Sequence, residues 1–493
     1  MFPRLLGAIA LAVTLATVQL VISDASTDEP VLAVESDDSQ PLIINGSLLG
    51  DDPSPEARLA VKPTENPGRG RGRDNPRAVE GKASKTATAL STTTTLGATT
   101  STLGATTSTR AVNTTATTAQ PTTDSSPATT SPPTTIKTSP PGSGPRVDVF
   151  PGESIQAVVD ANPAGTTFYL RAGVHSGQSI KPRDGDKFIG ESGAILDGRG
   201  NVEYAFKSTA GNVLIQNLTI ENYATPVQKG AVAGGGTGWT VRDNEVHHNW
   251  GAGIDFGSGY RVIGNNVHHN RQIGIKGHGS GVLVEGNEIA FNNYRDDYAM
   301  GWEAGGTKFL KTTNLVVRNN YVHDNHGHGL WADHNNIGTL YENNVVFNNH
   351  GAGIHHEISY DAVIRNNRIE GNGFLHSKGG IRIASSSNVE IYGNTLKINN
   401  GGIYASQKNR GSGSHGTFEI KNLWVHDNTI SFNQGINGLR VHDGGNVYYT
   451  NKNNRFDRNN YSLAIPKPFF WMGNERTSQE WINYGQDKNG TFA

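Results

Sequence analysis

The sequence predicts an all-β fold for residues 147–493, a single-stranded right-handed parallel β-helix in which short strands stack coil upon coil. Three observations predict it. Past Gly211 the chain repeats a short unit, glycines and asparagines separate its short apolar runs, and the closest copies, at Gly253 and Gly274, lie 21 residues apart. No such unit can bury its own apolar side, so stacked neighbours must supply the core.

The repeat unit is a short alternating run that ends in asparagine and continues into Gly-(Ile/Leu). Four copies are 241–249, 262–270, 317–325 and 364–372. Their last asparagines recur at one turn of every coil, where we expect the amides to hydrogen-bond from coil to coil. These structural asparagines are Asn249, Asn270, Asn325, Asn349 and Asn372.

Both ends of this domain carry signals for closing segments. Apolar residues at helical spacing in 154–159 predict a capping helix, and 167–170 alternates like a strand. Near the C-terminus, Thr477 and Glu480 have the spacing of a capping box before Trp481. We therefore expect an N-terminal capping helix and a C-terminal cap.

The first 146 residues predict three segments without a packed core. An apolar run after Arg4 makes 1–25 a signal peptide, although its length also allows an uncleaved anchor. Residues 26–83 are polar and predicted to be disordered, and 84–146 form a Thr/Ser/Pro-rich linker. The linker is typical of either an O-glycosylated stalk or a plain flexible tether. We expect a secreted, extracellular protein, or one tethered to the cell surface, with no membrane span in its mature body.

The composition excludes several classes of protein. The chain has no cysteine, so neither disulfides nor thiolate metal sites stabilise it. The formal net charge is −2, without the basic field that nucleic-acid binding needs. We expect a polysaccharide as the partner, no nucleic acid, and a monomer.

Alternation along each Gly-(Ile/Leu) strand predicts two outward columns of side chains. The first column is predicted to contain Asp255, Lys276, Glu303, Trp331, His355, Arg382, Tyr404 and Arg440. The second is predicted to contain His278, Asp333, Glu357, Ser406 and His442. Unlike a solvated face of Lys, Glu, Ser and Thr, these columns combine aromatic, carboxylate and basic side chains, which is typical of a sugar-binding groove. Histidines at turns, such as His247, His268 and His323, are interpreted as surface hydrogen-bonding groups.

Stacked carboxylates repel one another, so they must share a cation, pair with basic residues or retain a proton. The predicted catalytic residues are Glu303, Lys308, Asp333, His334, His355, Glu357 and Arg382. The predicted substrate-binding residues are Asp255, Lys276, Trp331, Tyr404 and Arg440. Glu303, Asp333 and Glu357 are also the candidate ligands for Ca²⁺, the one cofactor considered. A structural alternative makes this cluster a ladder of cross-coil salt bridges that contributes little.

The repeat, Asn-x-(Val/Ile)-x-x-Asn followed by Gly-x-Gly-(Ile/Leu), resembles that of the pectate-lyase-like superfamily over 212–447. The segment Trp331-Ala-Asp-His334 is similar to a short Trp-x-Asp-His segment of pectate lyases, and no member family is singled out. The resemblance implies a carbohydrate-active protein, but a fold by itself does not fix an activity.

Two mechanisms fit these residues. In one, Ca²⁺ or Arg382 and Lys308 neutralise a uronate, and His355, His334 or Arg382 removes its C5 proton, giving β-elimination or epimerisation. In the other, two of Glu303, Asp333 and Glu357 hydrolyse a glycosidic bond. A carbohydrate-binding or adhesive module and a structural cell-surface solenoid are the non-enzymatic alternatives. Clustering of unlike ionisable groups favours an enzyme.

Overall fold

The computed structural model describes residues 43–44, 47–48, 146–375 and 379–493. The predicted signal peptide, and nearly all of the predicted disordered segment and linker, lie outside these residues. The exception is a short antiparallel pair formed by Ile43–Ile44 and Ser47–Leu48. Contacts between residues divide the chain into two units. One unit contains residues 1–53 and 140–493, and the other contains residues 54–139.

Residues 146–493 form a parallel solenoid whose coils present three faces, which confirms the predicted fold class. The strands of the first face are Arg146–Val149, Thr167–Leu170, Lys187–Gly190, Leu214–Gln216, Thr240–Arg242, Arg261–Ile263, Leu283–Glu285, Val316–Arg318, Ile337–Glu342, Tyr360–Arg365, Ser387–Tyr392, Trp424–His426 and Arg455–Asp457. The strands of the second face are Gly173–Ser176, Ala194–Asp197, Thr219–Glu221, Glu245–His247, Asn266–His268, Glu288–Ala290, Tyr321–His323, Val345–Phe347, Arg368–Glu370, Thr395–Lys397, Thr429–Phe432, Asn460–Leu463 and Thr491–Phe492.

The third face contains the Gly-(Ile/Leu) strands of the repeat. Its strands are Phe206–Ser208, Gly230–Gly234, Ala252–Phe256, Ile273–Ser280, Gly305–Thr313, Leu330–Asp333, Ile354–Glu357, Ile381–Ala384, Ile403–Gln407, Asn437–Val441 and Phe469–Trp471. Pairing between successive coils is parallel and in register, as where Ile254 faces Ile275. Asn474–Arg476 pairs antiparallel with the last of these strands.

The core is a continuous stack of apolar side chains inside the coils, with many valines and isoleucines alongside leucines and aromatic residues. On the first face Val241, Val262 and Val284 are directly superposed and fully buried. Such residues suit a pleated surface, because their branched side chains pack on the coil above and the coil below. Alternation therefore leaves the neighbouring residues of each strand pointing out, which is where a site can form.

Two ladders of buried asparagines run along the turns, and the predicted ladder is confirmed. In this ladder each side-chain amide donates a hydrogen bond to Oδ1 of the asparagine on the next coil, as far as Asn399. The ladder runs through Asn249, Asn270, Asn292, Asn325, Asn349, Asn372 and Asn399. The second ladder is Asn244, Asn265, Asn287, Asn320, Asn344, Asn367, Asn394, Asn428 and Asn459, and it ends on the carboxylate of Asp487. These amides satisfy turn backbone groups that the strands cannot pair.

His247, His268 and His323 end strands of the second face and are not turn residues as predicted. Each pairs with a glutamate of the preceding coil, as predicted for hydrogen-bonding groups. The Nε2 atoms of His247, His268 and His323 lie 3.3, 3.3 and 3.2 Å from carboxylate oxygens. Their role is therefore cross-coil pairing.

Three short helices accompany the coils: Ile155–Asp160, Val447–Thr450 and Ser478–Asn483. The Ser154 hydroxyl accepts a hydrogen bond from the Ala157 amide, and Thr477 and Glu480 form the predicted capping box. Both predicted helical segments are thus present, while their role as end caps stays a prediction. Within the described residues, no helix is long and apolar enough to cross a membrane.

Two insertions border the third face. One is the loop of residues 291–304, which precedes the strand Gly305–Thr313. The other, 408–423, contains a small hairpin of Ser412–Gly413 and Gly416–Thr417. Both insertions reach the same central coils.

Candidate functional site

The register of the third face fixes which outward side chains are neighbours. The first column reads Asp255, Lys276, Lys308, Trp331, His355, Arg382 and Tyr404. The second reads Leu310, Asp333, Glu357, Ala384, Ser406 and Arg440. Asp333 and Glu357 therefore stand side by side on adjacent coils, as predicted.

Two predicted placements in the first column are wrong. Glu303 lies in the loop before Gly305–Thr313, at a φ of 53°, so Lys308 takes its place in the column. Arg440 faces Ser406 in the second column, because Tyr404 pairs with Gly438. The predicted second column is also wrong at its end, since His442 lies beyond the strand Asn437–Val441.

Lys308 is the centre of the cluster. Its Nζ lies 2.9 Å from Asp333 Oδ2 and 3.7 Å from Glu303 Oε1. The same ammonium sits 3.7 Å from the centre of the Trp331 ring. Because only 2% of the Lys308 side chain is exposed, its charge must be compensated inside the protein, and these three groups do so.

The carboxyl groups of the cluster pair with basic side chains. Glu303, Asp333 and Glu357 share Lys308 and Arg410. Burial raises the pKa of Asp333 above its usual value, against the lowering effect of Lys308, and the Glu357 charge raises it further. Burial opposes the charge of Lys308, yet the facing carboxylates outweigh it and raise the Lys308 pKa. Burial and Glu357 therefore favour the neutral form of Asp333, whereas Lys308 favours its charged form.

A chain of hydrogen bonds fixes the tautomer of His355. The Ala352 amide donates to His328 Nδ1 at 3.0 Å, so the His328 proton is on Nε2. That proton points to His355 Nδ1 at 3.3 Å, which leaves the neutral His355 with its proton on Nε2. His355 Nε2 in turn faces Glu357 Oε2 at 3.7 Å. His355 therefore presents a proton to a carboxylate.

The hairpin insertion supplies a cation from far away in the sequence. Arg410 donates to Glu357 Oε1 at 3.0 Å. Two further contacts hold the hairpin in place: the Ser414 amide donates to Asn335 Oδ1 at 2.8 Å, and the Tyr360 hydroxyl donates to the Gly416 carbonyl at 2.6 Å. The hairpin thus forms one wall of the site.

Several predicted residues lie at the edge of this cluster. His334 leaves the column at a φ of 58°, and its ring centre lies 5.8 Å from that of Phe418. Lys276 is anchored to the Gln228 carbonyl. Tyr404 is packed in a small apolar cluster with two neighbours, and the register places Asp255 and Arg382 in the first column. The predicted site residues that contact one another therefore lie on the coils next to Lys308.

The carboxyl groups of the cluster are more exposed than its rings. The side chains of Glu303, Asp333 and Glu357 are 13–14% exposed, whereas Trp331 and His355 are almost fully buried. Two buried polar atoms, Asp333 Oδ1 and Trp331 Nε1, have no hydrogen-bond partner among the described residues. A polar ligand in the groove could satisfy these two atoms.

The contacts of the three carboxylates bear on the predicted Ca²⁺ site. Lys308 and Arg410 already hold cationic positions beside them. Ca²⁺ binding by Glu303, Asp333 and Glu357 stays a prediction.

Sequence reasoning missed His328 and Arg410. His328 forms an isolated β-bridge with Gly305, two residues before the strand Leu330–Asp333. Its role comes from its contacts with His355 and with Trp331, whose ring centre lies 4.7 Å from its own. Arg410 lies in the insertion beside Ser406, but 53 residues separate it from Glu357. No local pattern predicts that contact.

Comparison with known proteins agrees with this architecture. The family model of the right handed beta helix region matches residues 229–396 and 312–466. The chain is a right-handed parallel β-helix protein. No member family is identified, and no curated protein matches this β-helix protein by sequence.

Solved structures similar to the β-helix protein share its fold at low identity. The A-module of mannuronan C-5 epimerase AlgE6 of Azotobacter vinelandii is 16% identical, with a TM-score of 0.47, over 69% of this chain and 94% of its own. The Agl-KA catalytic domain is 12% identical, with a TM-score of 0.47, over 68% and 64%. An alginate lyase from Paenibacillus sp. is 14% identical, with a TM-score of 0.36, over 61% and 96%. At these identities the likeness is one of fold alone.

Proposed function

We propose that this β-helix protein is an exported carbohydrate-active enzyme that cleaves or epimerises a uronic-acid-containing polysaccharide. The observation that carries the proposal is the buried Lys308 ammonium, shared by Asp333 and Glu303 beside the His355–Glu357 pair. Buried unlike charges with a perturbed carboxyl pKa are typical of acid–base catalysis, whereas a structural rod has no need of them.

The preference for an acidic sugar follows from the charges along the groove. Lys276, Lys308 and Arg382 occupy the first column, and Arg410 overhangs the second. A uronate carboxylate beside Lys308 would accept hydrogen bonds from its ammonium and from protonated Asp333. Neutralising the carboxylate makes the neighbouring C5 proton more acidic.

Proton transfer is assigned to His355 and Glu357. In β-elimination Glu357 takes the C5 proton, the C4–O4 bond breaks as the C4–C5 double bond forms, and the departing O4 takes the Nε2 proton of His355. The proton held by Glu357 then passes to His355 Nε2, which restores both groups. In epimerisation the C4–O4 bond stays intact, C5 receives the Nε2 proton of His355 on its opposite face, and Glu357 restores His355 in the same way. The His328 hydrogen bond holds His355 in the tautomer that either reaction needs.

Glycoside hydrolysis is the second candidate, because Asp333 and Glu357 face each other on adjacent coils. Adjacent strands lie about 4.8 Å apart, which is close to the carboxyl separation of retaining glycosidases. Protonated Asp333 would then act as the acid and Glu357 as the nucleophile.

The test is a screen of the purified protein on acidic and neutral polysaccharides, with and without Ca²⁺. Ultraviolet absorbance of unsaturated products rising together with reducing ends identifies a lyase. Altered C5 configuration by NMR, without new ends, identifies an epimerase, and reducing ends alone identify a hydrolase. Inactivity on every substrate contradicts the proposal and favours a binding or structural solenoid.

Variants connect the activity to the cluster. We expect Lys308→Met and Glu357→Gln each to lower kcat/KM by about 10²–10⁴-fold, since Lys308 neutralises the uronate and Glu357 takes the C5 proton. Glu285→Gln is the matched control, because Glu285 pairs with Arg318 on the first face, away from the groove. Equal activity of Lys308→Met and the control would refute the assignment.

Export is part of the proposal and rests on residues 1–25 of the sequence. Expression in a secreting host, followed by N-terminal sequencing of the released protein, tests it. A mature N-terminus at Ser26 supports a cleaved signal, whereas retention on the membrane with Met1 intact supports an anchor.

A further inference from the structure

Three potential metal ligands converge beside the groove, outside the Lys308 cluster. They are Asp296 from the loop 291–304, and His326 and His350 from the same turn of successive coils. His326 Nδ1 lies 2.9 Å from Asp296 Oδ1, and the two imidazole rings stack with centres 4.1 Å apart. One ligand atom of each residue lies within 4.8 Å of the others.

From this geometry we propose that Asp296, His326 and His350 bind a divalent transition-metal ion of the Zn²⁺ class. Two imidazoles and one carboxylate are a donor set that Zn²⁺, Co²⁺ and Ni²⁺ prefer over Ca²⁺ or Mg²⁺. Metal–ligand bonds of about 2.0–2.2 Å place donor atoms roughly 3–3.5 Å apart, so modest side-chain rotations close the site.

The backbone around the three ligands is already fixed. Asn293 is fully buried, and its side-chain amide donates to the backbone carbonyls of Tyr298 and His326 at 2.9 and 2.8 Å. The backbone amide of His326 donates to the Asn292 carbonyl, and the backbone amide of Asp296 donates to the Asn293 carbonyl. The turn that carries Asp296 is therefore tied to the backbone of His326, which reduces the entropy that metal binding must overcome.

A surface ion pair is the simpler interpretation of one histidine and one aspartate, but it does not account for the third group. His247 and His268 meet one glutamate each, and His323 meets Glu288 and Asp324 through opposite nitrogens of its ring. In the part of the chain that the structure describes, no other set of three His, Asp or Glu ligand atoms converges in this way. The metal accounts for the convergence, because it binds all three at once.

The site has a consequence for the groove. The loop 291–304 also carries Glu303, which reaches Lys308. A metal held between Asp296 and the two histidines fixes this loop against the coils, and so holds one wall of the groove.

The experiment measures metal binding directly and does not depend on the proposed enzymatic activity. The full chain is stripped with a chelator, dialysed against Zn²⁺ and analysed for bound zinc, and Co²⁺ replaces Zn²⁺ for visible spectroscopy. We expect one ion per chain and a Co²⁺ d–d spectrum with nitrogen ligands. His326→Ala and His350→Ala should each weaken Zn²⁺ binding at least tenfold, and His278→Ala, an exposed histidine elsewhere, should not.

Hydrogen exchange supplies the second readout. Zn²⁺ should slow amide exchange in 293–300 in the wild-type chain and leave it unchanged in His326→Ala. His350→Gln, which keeps a polar planar side chain in the stack, guards against loss of folding. No retained metal in the wild-type chain, or equal binding in the double variant His326→Ala/His350→Ala, would overturn the proposal.

Discussion

Replacing Asn344 by alanine should destabilise the solenoid by about 3–5 kcal/mol. The Asn344 amide donates to the Val317 carbonyl at 3.0 Å and to Asn367 Oδ1 at 2.9 Å. Its carbonyl oxygen accepts from the amide nitrogen and the side chain of Asn320, at 3.1 and 3.0 Å. All four bonds are buried, and alanine makes none of them.

The magnitude follows from the groups left behind. Two donors of Asn320 and one acceptor of Val317 lose a buried partner, at about 1–1.5 kcal/mol each, before any cavity cost. Water cannot replace the amide easily, because Asn344 is only 1% exposed. The neighbouring coils lose their shared turn, so we expect unfolding to begin there.

Urea unfolding followed by tryptophan fluorescence measures the change, with circular dichroism to verify that the variant folds. The control is Asn446→Ala, since Asn446 is exposed and its side chain makes no capping hydrogen bond. A loss within about 1 kcal/mol of the control would show that water satisfies the ladder and would refute this reasoning.

Three further predictions address packing, pH dependence and the hairpin. Gly353→Ala should cost about 1–3 kcal/mol in urea unfolding, because a Cβ there meets the Gly380 carbonyl oxygen at 2.9 Å, whereas Gly235→Ala, in open surroundings, should be neutral. Burial, then neighbouring His268, lowers the pKa of His247 to about 4, so the unfolded chain binds the proton first as pH falls. Stability should therefore decrease by about 2–3 kcal/mol between pH 6.5 and 4, and His247→Gln should flatten that slope in unfolding titrations. Arg410→Ala should lower activity about tenfold. Arg410→Lys should restore part of the activity, because lysine keeps the charge beside Glu357. Equal activity of both variants and the wild type would contradict a role for this contact.

The repeat by itself determined the fold and the ladder. Asn270 and Gly274 recur one coil length apart from Asn249 and Gly253, and stacking is the arrangement that buries such units. Because side chains alternate along a strand, the sequence also placed Asp333 and Glu357 in one outward column. These inferences needed only local periodicity, which a solenoid preserves from coil to coil.

Only the tertiary structure decided where the insertions go. The sequence predicts Glu303 in the first column. In the structure Glu303 lies in the loop before Gly305, and Lys308 is the residue that pairs with Lys276 in that column. Arg410 reaches Glu357 because the hairpin folds back over two coils. A loop has no period, so its path depends on the surface it packs against. The repeat therefore predicts the groove, and the folded insertions determine which charges meet in it.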